Sequence, residues 1–213
     1  MYVPSMFKLE DPEAIREIIE GHSFGLFVTA KDGLPTATHL PFVYEPNYGA
    51  NGMLLGHFAR ANPHWRDLGQ ELDEREALVI FQGPHAYVSP LDYNSEKPNV
   101  PTWNYLAVHA YGTPKIIDDP TRTKEVLTKL TDKNESLHEV PWTVSSLGED
   151  YVANMMKGIV AFEMPISRLE AKAKLNQNKP RAQIEAAAEA LAKRENPLAK
   201  ETAGAMREAM KGE

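Results

Sequence analysis

The chain has 213 residues, of which 42% are hydrophobic, a formal net charge of −7 at pH 7 and no cysteine. A chain of this length can bury about 70% of its unfolded surface, so it can fold around its own apolar core without disulfides. The lack of cysteine excludes disulfides, zinc–thiolate sites, iron–sulfur clusters and thiol nucleophiles, and the acidic balance argues against broad binding to a phosphate backbone.

The sequence also lacks the signals of membrane insertion or export. No apolar run approaches the roughly 18 residues that a membrane-spanning helix needs, and the amino terminus has no basic segment followed by an apolar one. We therefore expect a cytoplasmic protein with no membrane partner.

The first third of the chain predicts a helix and then an antiparallel meander. Asp11 as N-cap and Pro12 at the first helical position predict a helix over residues 11–20. "SFGLFVTA" predicts a strand, Asp32-Gly33 a hairpin turn, and "PTATHLPFVYE" the returning strand. "MLLGHF" predicts one more strand, followed by a short helix over residues 63–72.

The rest of the chain predicts more strands and then helices. "EALVIFQG", "AYVSP", "TWNYLAVHAYGTPKIID" and "GIVAFEMPIS" are typical of strands, and Gly112 interrupts the third. Residues 120–134 and 147–157 predict helices, and the alanine-rich tail from Arg181, broken by Pro197, predicts two more. Six or so antiparallel strands with helices at their edges predict a mainly β fold, a small barrel with added α-helices.

Two polar stretches are candidates for a binding site. In "GHFARANPHW", Arg60 and Asn62 lie where a strand gives way to a helix, and a guanidinium beside the free N–H groups of a first helical turn favours an anion such as phosphate. A solvated loop explains the same residues equally well.

The second stretch is aromatic. Tyr87, Tyr93, Trp103 and Tyr105 offer flat faces with polar rims, which suit either a planar heteroaromatic ligand or an ordinary core.

Recognised catalytic and metal-binding motifs are absent from the sequence. His39, His57, His64, His85 and His109 show no metal-ligand spacing, so we predict no metal site. There is no G-x-S-x-G elbow, no G-x-G-x-x-G and no P-loop, so a phosphorylated cofactor would not be held in a Rossmann or P-loop manner, and no catalytic residue is assigned.

Six stretches carry a resemblance to a known family. In order along nearly the whole chain they are "MYVPSMF", "GLPTATHLPF", "GHFARANPHW", "VIFQGPHAYVSP", "VPTWNY" with "VHAYG", and "KLNQNK". Together they resemble the PaiB family of FMN-binding negative transcriptional regulators. The resemblance implies the FMN-binding split β-barrel, which is pyridoxamine-phosphate-oxidase-like. In that fold two subunits pack their barrels together with the flavin at their interface.

The resemblance also implies partners and site residues. The cofactor is FMN, the assembly is a homodimer, and a further partner is DNA or a DNA-binding protein. "TATHLP" would lie beneath the flavin ring, "GHFARAN" would hold the phosphate, "VPTWNY" would lie beside the ligand and "KLNQN" over it. The cofactor-binding residues so implied are Thr36, Thr38, His39, His57, Arg60, Asn62, Trp103, Asn104, Tyr105, Lys174, Gln177 and Asn178. The family commonly has serine where this chain has Asn176.

The same residues leave several alternatives open. We expect residues 1–170 to form the FMN-binding domain with peripheral helices and residues 171–213 a helical extension packed on it. The polar groups of "KLNQN" would act as a lid over the flavin, or belong to a solvated tail. No basic helix-turn-helix is visible, so regulation could act through another protein. A flavin-dependent oxidoreductase or flavin reductase of the same fold is the alternative function, and a haem-binding or haem-degrading split barrel is a third.

Overall fold

The computed structural model describes residues 1–68 and 76–211. The helices are α1 (Pro12–Gly21), α2 (Pro120–Glu135), α3 (Glu149–Met156), α4 (Arg181–Ala192) and α5 (Pro197–Ala209). The strands are β1 (Phe24–Lys31), β2 (Leu34–Pro41), β3 (Val43–Glu45), β4 (Met53–Ala59), β5 (Ala77–Val88), β6 (Thr102–Gly112), β7 (Lys115–Ile116) and β8 (Ile159–Lys174). Short 3-10 helices cover Ser5–Phe7, Pro63–Leu68, Pro90–Tyr93 and Val144–Ser146.

The strands form one sheet in the order β2-β1-β5-β6-β8-β4-β3, and β7 pairs with β8 beside this path. The pairings of β1 with β2 and β5, and of β8 with β4 and β7, are antiparallel. The expected antiparallel β fold with C-terminal helices is therefore confirmed. Within the described ranges, no helix is long and apolar enough to cross a membrane.

Most predicted elements are present, with four differences. The single strand predicted over "PTATHLPFVYE" is divided into β2, which pairs with β1, and β3, which pairs with β4. The predicted strands "EALVIFQG" and "AYVSP" are one continuous strand, β5. The last strand, β8, continues beyond "GIVAFEMPIS" as far as Lys174. The helix predicted over residues 63–72 is a 3-10 helix up to Leu68, and its remainder lies outside the described residues.

The described chain divides into two compact units, each treated by itself below. The hairpin unit comprises residues 19–68, 76–81 and 109–169, and the tail unit comprises residues 1–18, 82–108 and 170–211.

The hairpin unit has an aromatic core. Phe27 packs edge-on against Phe58 with ring centroids 5.4 Å apart, and Phe162 lies 5.3 Å from both. The β1–β2 hairpin that brings Phe27 there is closed at Asp32 and Gly33, both with positive φ, as a tight turn between right-twisted strands requires. Since residues two apart in a strand share a face, this core lines one face of β4, on the side of Phe58.

The opposite face of β4 carries Met53 and Leu55, which pack against Val126 and Leu130 of α2. We call this surface the α2 face. The N-terminus of α2 is capped by Asp119, whose carboxylate accepts two N–H groups of the first turn.

The tail unit is built around α4 and α5. Ala187, Ala188 and Ala203 are fully buried, and small side chains allow the two helices to pack closely on each other. Their cluster also includes Ala86 and Val88 of β5. The alanine-rich helices predicted for the tail are therefore part of a core.

Candidate functional site

His64 is a buried polar residue of the hairpin unit with a partner for each ring nitrogen. It is 3% exposed, and its Nε2 lies 2.8 Å from the Thr29 hydroxyl while its Nδ1 lies 2.7 Å from the Thr38 hydroxyl. The ring meets Phe27 and Phe58 of the core edge-on. His64 thus joins β1 and β2 at the end of the aromatic core.

Asn62 completes this arrangement. Its side-chain oxygen accepts the backbone N–H of His64 at 3.0 Å, and its side-chain nitrogen donates to the Thr38 hydroxyl at 3.3 Å. We call Thr29, Thr38, Asn62 and His64 the polar junction. The structure therefore brings together Thr38 and Asn62, two of the predicted site residues from different sequence stretches.

Arg60 is held in place by backbone carbonyls. Its Nε donates to the Lys157 carbonyl and its Nη2 to the Ile159 carbonyl, both at 2.8 Å. The Trp65 indole donates to the Arg60 carbonyl at 2.9 Å, and its ring centroid lies 5.9 Å from the guanidinium carbon. Nη1 has no hydrogen-bond partner among the residues that the structure describes. Arg60 is thus a fixed, exposed cation with donor capacity left for an anion.

His57 lies apart from the polar junction. It pairs with Ala161 in the register of β4 and β8 and shares the α2 face with Met53 and Leu55, whereas His64 contacts the core side of β4. Its Nδ1 is buried without a hydrogen-bond partner in the described part of the chain. The structure therefore does not bring His57 together with Asn62.

Burial changes the acid–base properties of both histidines. It lowers the pKa of His57 below 6.5, and it lowers the pKa of His64 below the same value although the charge of Asp67 acts in the opposite direction. The charged form of each ring is therefore disfavoured in the folded chain.

Two further predicted residues lie on the surface of β2. Thr36 is exposed, and His39 is exposed and stacks on Phe24 with ring centroids 5.9 Å apart. Both side chains are accessible to a ligand, and neither the Thr36 hydroxyl nor the His39 ring belongs to the polar junction.

In the tail unit, Trp103 and Tyr105 contribute to one aromatic surface. Trp103 is 48% exposed and lies against His85 and Tyr87, with ring centroids 5.9 and 6.2 Å away. The ammonium of Lys172 lies 5.2 Å from the Tyr105 ring centroid. This aromatic surface, with a cation beside it, can pack against a planar ring.

Asn104 points away from that surface. It is fully buried, its side-chain nitrogen donates to the Met206 sulfur at 3.4 Å, and its side-chain oxygen has no partner among the described residues. Tyr93 is also buried in the helix-packed core. Of the four aromatic residues singled out from the sequence, Tyr93 is therefore a core residue.

The segment predicted as a lid is largely tied to its own backbone. Gln177 accepts the N–H of Leu175 at 2.8 Å and donates to the Ala173 carbonyl at 2.6 Å. Lys174 donates to the Thr102 hydroxyl at 2.5 Å, and Asn178 is exposed. Lys174 and Asn178 thus keep polar atoms that can meet a ligand, whereas both ends of the Gln177 amide are used.

Asn176 lies two residues beyond the end of β8 and has a positive φ of 69°, a conformation that asparagine tolerates better than most residues. Its side-chain oxygen accepts the Tyr93 hydroxyl at 3.4 Å. The asparagine that replaces the family's serine is therefore a buried backbone-shaping residue.

Sequence reasoning missed His64 and His85. His64 was placed in the short helix predicted over residues 63–72 and given no role, because its contact with two threonines in β1 and β2 has no sequence signal. His85 had a usable signal, because it alternates with Tyr87 along one strand and therefore shares its face. In the described ranges, no three His, Asp or Glu side chains are grouped as metal ligands would be.

Comparisons with known proteins identify the family of the chain. Residues 1–168 match the family model described as "Putative FMN-binding domain". The chain is 38% identical over 211 residues to protease synthase and sporulation protein PAI 2 of Bacillus subtilis (strain 168), covering 99% of both chains.

Two solved structures share the fold at low identity. The flavocytochrome Anf3 from Azotobacter vinelandii is 15% identical with a TM-score of 0.55, covering 78% of this chain and 69% of that one. The FAD and heme binding protein from Mycobacterium smegmatis is 17% identical with a TM-score of 0.52, covering 76% and 70%. The family match supports FMN as the cofactor. With a family model spanning most of its length and a relative aligned over nearly all of it, the chain belongs to the PaiB family of FMN-binding split-barrel proteins.

Proposed function

We propose that the chain is a homodimeric FMN-binding protein that acts as a negative transcriptional regulator. The observation that carries the FMN part is Arg60, a cation fixed by two backbone carbonyls with Nη1 still available for a phosphate oxygen. When bound, FMN supplies a planar ring that accepts or donates electrons. The chain's own contribution is to hold the phosphate and to present aromatic and polar side chains to the ring.

The proposed site residues are drawn from the twelve given above and form two groups, without Asn104, which is buried, Gln177, whose amide is used at both ends, and His57, which lies on the α2 face. In the hairpin unit, Arg60 meets the phosphate and the polar junction fixes Thr38 and Asn62 beside the end of β4. In the tail unit, the exposed faces of Trp103 and Tyr105 are the groups proposed to pack on the ring, with Lys174 and Asn178 at its polar edge.

The dimer proposal is supported by an uncovered sheet face. Leu26 of β1 pairs with His39 of β2 on one side and with Ile80 of β5 on the other. The side chains of these three strands therefore share one surface. Phe24 on that surface is 67% exposed. An apolar sheet face of this kind is typical of an interface, and the proposed occupant is a second copy of the chain.

Phe24→Glu tests the dimer directly. It places a charge in the proposed interface at an exposed position, so the variant is expected to fold and to sediment as a monomer at micromolar concentration. Leu137→Glu is the matched control, because Leu137 is 88% exposed and outside this face. A monomeric unmodified chain with flavin bound would contradict the dimer.

The regulatory role is supported by family membership. The chain's acidic balance and the absence of a basic recognition helix from the sequence favour action through a DNA-binding partner over direct reading of bases. The deciding experiment combines two measurements. Heat denaturation should release FMN, identified by spectrum and mass. The flavin-loaded chain should then alter the migration of a promoter fragment, alone or with a DNA-binding partner.

A flavin-dependent oxidoreductase is the second candidate. It is favoured by the solvent-open aromatic surface, on which Trp103 is 48% and Tyr87 44% exposed, because a planar substrate could stack there. Oxidation of a nicotinamide by the yellow protein, with no effect on promoter fragments, would select this function over regulation. A Soret band in the purified chain would select haem.

A further inference from the structure

A short loop of the hairpin unit exposes three large apolar side chains to solvent. It follows α2, and in it Leu137 is 88%, Val140 84% and Trp142 45% exposed. We call residues 135–142 the apolar loop. Exposed apolar side chains that lie close together, with polar residues around them, are typical of a surface that contacts another protein.

Hydrogen bonds close the apolar loop at its base. Glu135, the last residue of α2, accepts the backbone N–H of Trp142 with its Oε2 at 2.9 Å. The backbone N–H of His138 donates to the Glu135 carbonyl, also at 2.9 Å. Pro141 restricts the backbone further, because its ring fixes φ. A partner would therefore lose less entropy on binding this loop than on binding one that it first has to order.

The chain around the apolar loop is acidic. Residues 132–150 contain five carboxylates and one lysine, a net charge of −4 with histidine neutral, against −7 for the whole chain. The Nζ of that lysine, Lys133, is buried with no hydrogen-bond partner in the ranges 1–68 and 76–211, and burial lowers its pKa. Four of the carboxylates are exposed, namely those of Asp132, Glu139, Glu149 and Asp150. This stretch thus presents apolar side chains together with negative charge.

The charge argues against several kinds of occupant. A two-fold contact between copies of the chain would bring the same acidic stretch of both subunits together, and like charges across an interface repel. Nucleic acid phosphates and anionic lipid headgroups are repelled for the same reason. The complementary surface has an apolar stripe flanked by lysine and arginine, which is the pattern of a basic amphipathic helix.

We propose that the apolar loop docks a basic amphipathic helix of a partner protein. The apolar face of that helix packs on Leu137, Val140 and Trp142, and its cationic side chains meet the carboxylates of residues 132–150. Tryptophan is enriched among the residues that contribute most to such contacts. The proposal rests on the proposed regulation through a protein partner, and it names the surface that the partner would use.

Two synthetic peptides test this proposal on the full chain. Each has about 18 residues, long enough to form a helix, with leucine on one face. One peptide carries lysine on its other face and the second carries glutamate. In fluorescence anisotropy the lysine peptide is expected to bind at least about tenfold more tightly than the glutamate peptide, with an affinity that falls as salt is added.

A double variant tests the apolar contact. Leu137→Ser with Val140→Ser should fold normally, because both side chains are exposed, and should weaken the lysine peptide at least about tenfold. Leu91→Ser with Val100→Ser is the matched control, since these side chains are 90% and 73% exposed and lie outside the apolar loop. The control should bind like the unmodified chain.

A charge variant tests the acidic surroundings. Glu139→Gln should weaken the lysine peptide about twofold to fivefold, the effect of one exposed ion pair. Glu96→Gln, at an exposed position outside residues 132–150, should leave its affinity unchanged. Equal binding of the two peptides, or undiminished binding by the Leu137 and Val140 double variant, would overturn the proposal.

Two further measurements separate this proposal from the others. The Leu137 and Val140 double variant is expected to keep its FMN affinity and to sediment as the unmodified chain does. Conversion of that variant to a monomer would make the apolar loop a contact between copies and would overturn the proposal. If neither peptide binds while the unmodified chain still alters a promoter fragment together with a DNA-binding protein, the docking proposal fails and the regulatory function stands.

Discussion

The polar junction makes a prediction that can be worked through in detail, because every polar atom of the His64 ring has a named partner. His64→Phe keeps an aromatic ring against Phe27 and Phe58 but removes the bonds to the hydroxyls of Thr29 and Thr38. The Thr38 hydroxyl keeps its hydrogen bond with the Asn62 amide. The hydroxyl of Thr29, which is 6% exposed, loses its hydrogen bond with His64.

The expected cost follows from these contacts. Two hydrogen bonds are worth about 0.5–1.5 kcal/mol each, and a buried hydroxyl left without a partner costs about 1–3 kcal/mol. We therefore expect His64→Phe to lower the free energy of unfolding by about 2–6 kcal/mol. Because the Thr38 hydroxyl also loses its hydrogen bond with the His64 ring, the variant should bind FMN more weakly.

The assay is a double-mutant cycle followed by urea denaturation. Thr29→Val removes the hydroxyl that His64→Phe would leave unpaired, so the double variant should be more stable than the sum of the two single changes predicts, by about 1 kcal/mol or more. Thr128→Val is a control outside the polar junction, since the Thr128 hydroxyl bonds the Lys124 carbonyl. Strict additivity of His64→Phe and Thr29→Val would refute the assigned contact.

Three further outcomes are expected. Arg60→Ala should weaken FMN about tenfold to a hundredfold without changing the affinity for riboflavin, and equal affinity of the unmodified chain for FMN and riboflavin would contradict a phosphate contact. Lys174→Met should speed FMN release about threefold to tenfold in stopped-flow fluorescence, whereas Lys200→Met at an exposed position should not. Burial holds the folded-state pKa of His57 and His64 below 6.5, so below that pH the unfolded chain binds protons that the folded chain does not. The free energy of unfolding should therefore fall as the pH drops below 6.5, by at most about 1.4 kcal/mol per pH unit per histidine, and His64→Phe should show a shallower fall in pH-dependent urea denaturation.

Local signals predicted the elements well. Asp32-Gly33 gave the hairpin, and Asp11 with Pro12 placed the start of α1 to within one residue, because caps and tight turns depend on a few neighbouring side chains. Pro197 likewise marked the start of α5.

Long-range contacts were not predictable in this way. The sequence does not distinguish the environments of His57 and His64. His57 lies on the α2 face because strand alternation in β4 places it there. His64 belongs to the polar junction because its partners Thr29 and Thr38 lie in β1 and β2. Gln177 was expected to face a ligand, but the Leu175 N–H and the Ala173 carbonyl of its own segment use both ends of its amide. The motif resemblance identified the relevant stretches, whereas the direction of each side chain required the fold.

The position of β2 at one end of the strand order affects how the chain can associate. Pro35 and Pro41 lie in this strand, opposite Ala30 and Phe24 of β1, and neither has an N–H to donate to an incoming strand. Prolines at a sheet border hinder the addition of further strands and so protect a protein from aggregation by continuous strand pairing. Further strands are therefore hindered from adding to the sheet along this border.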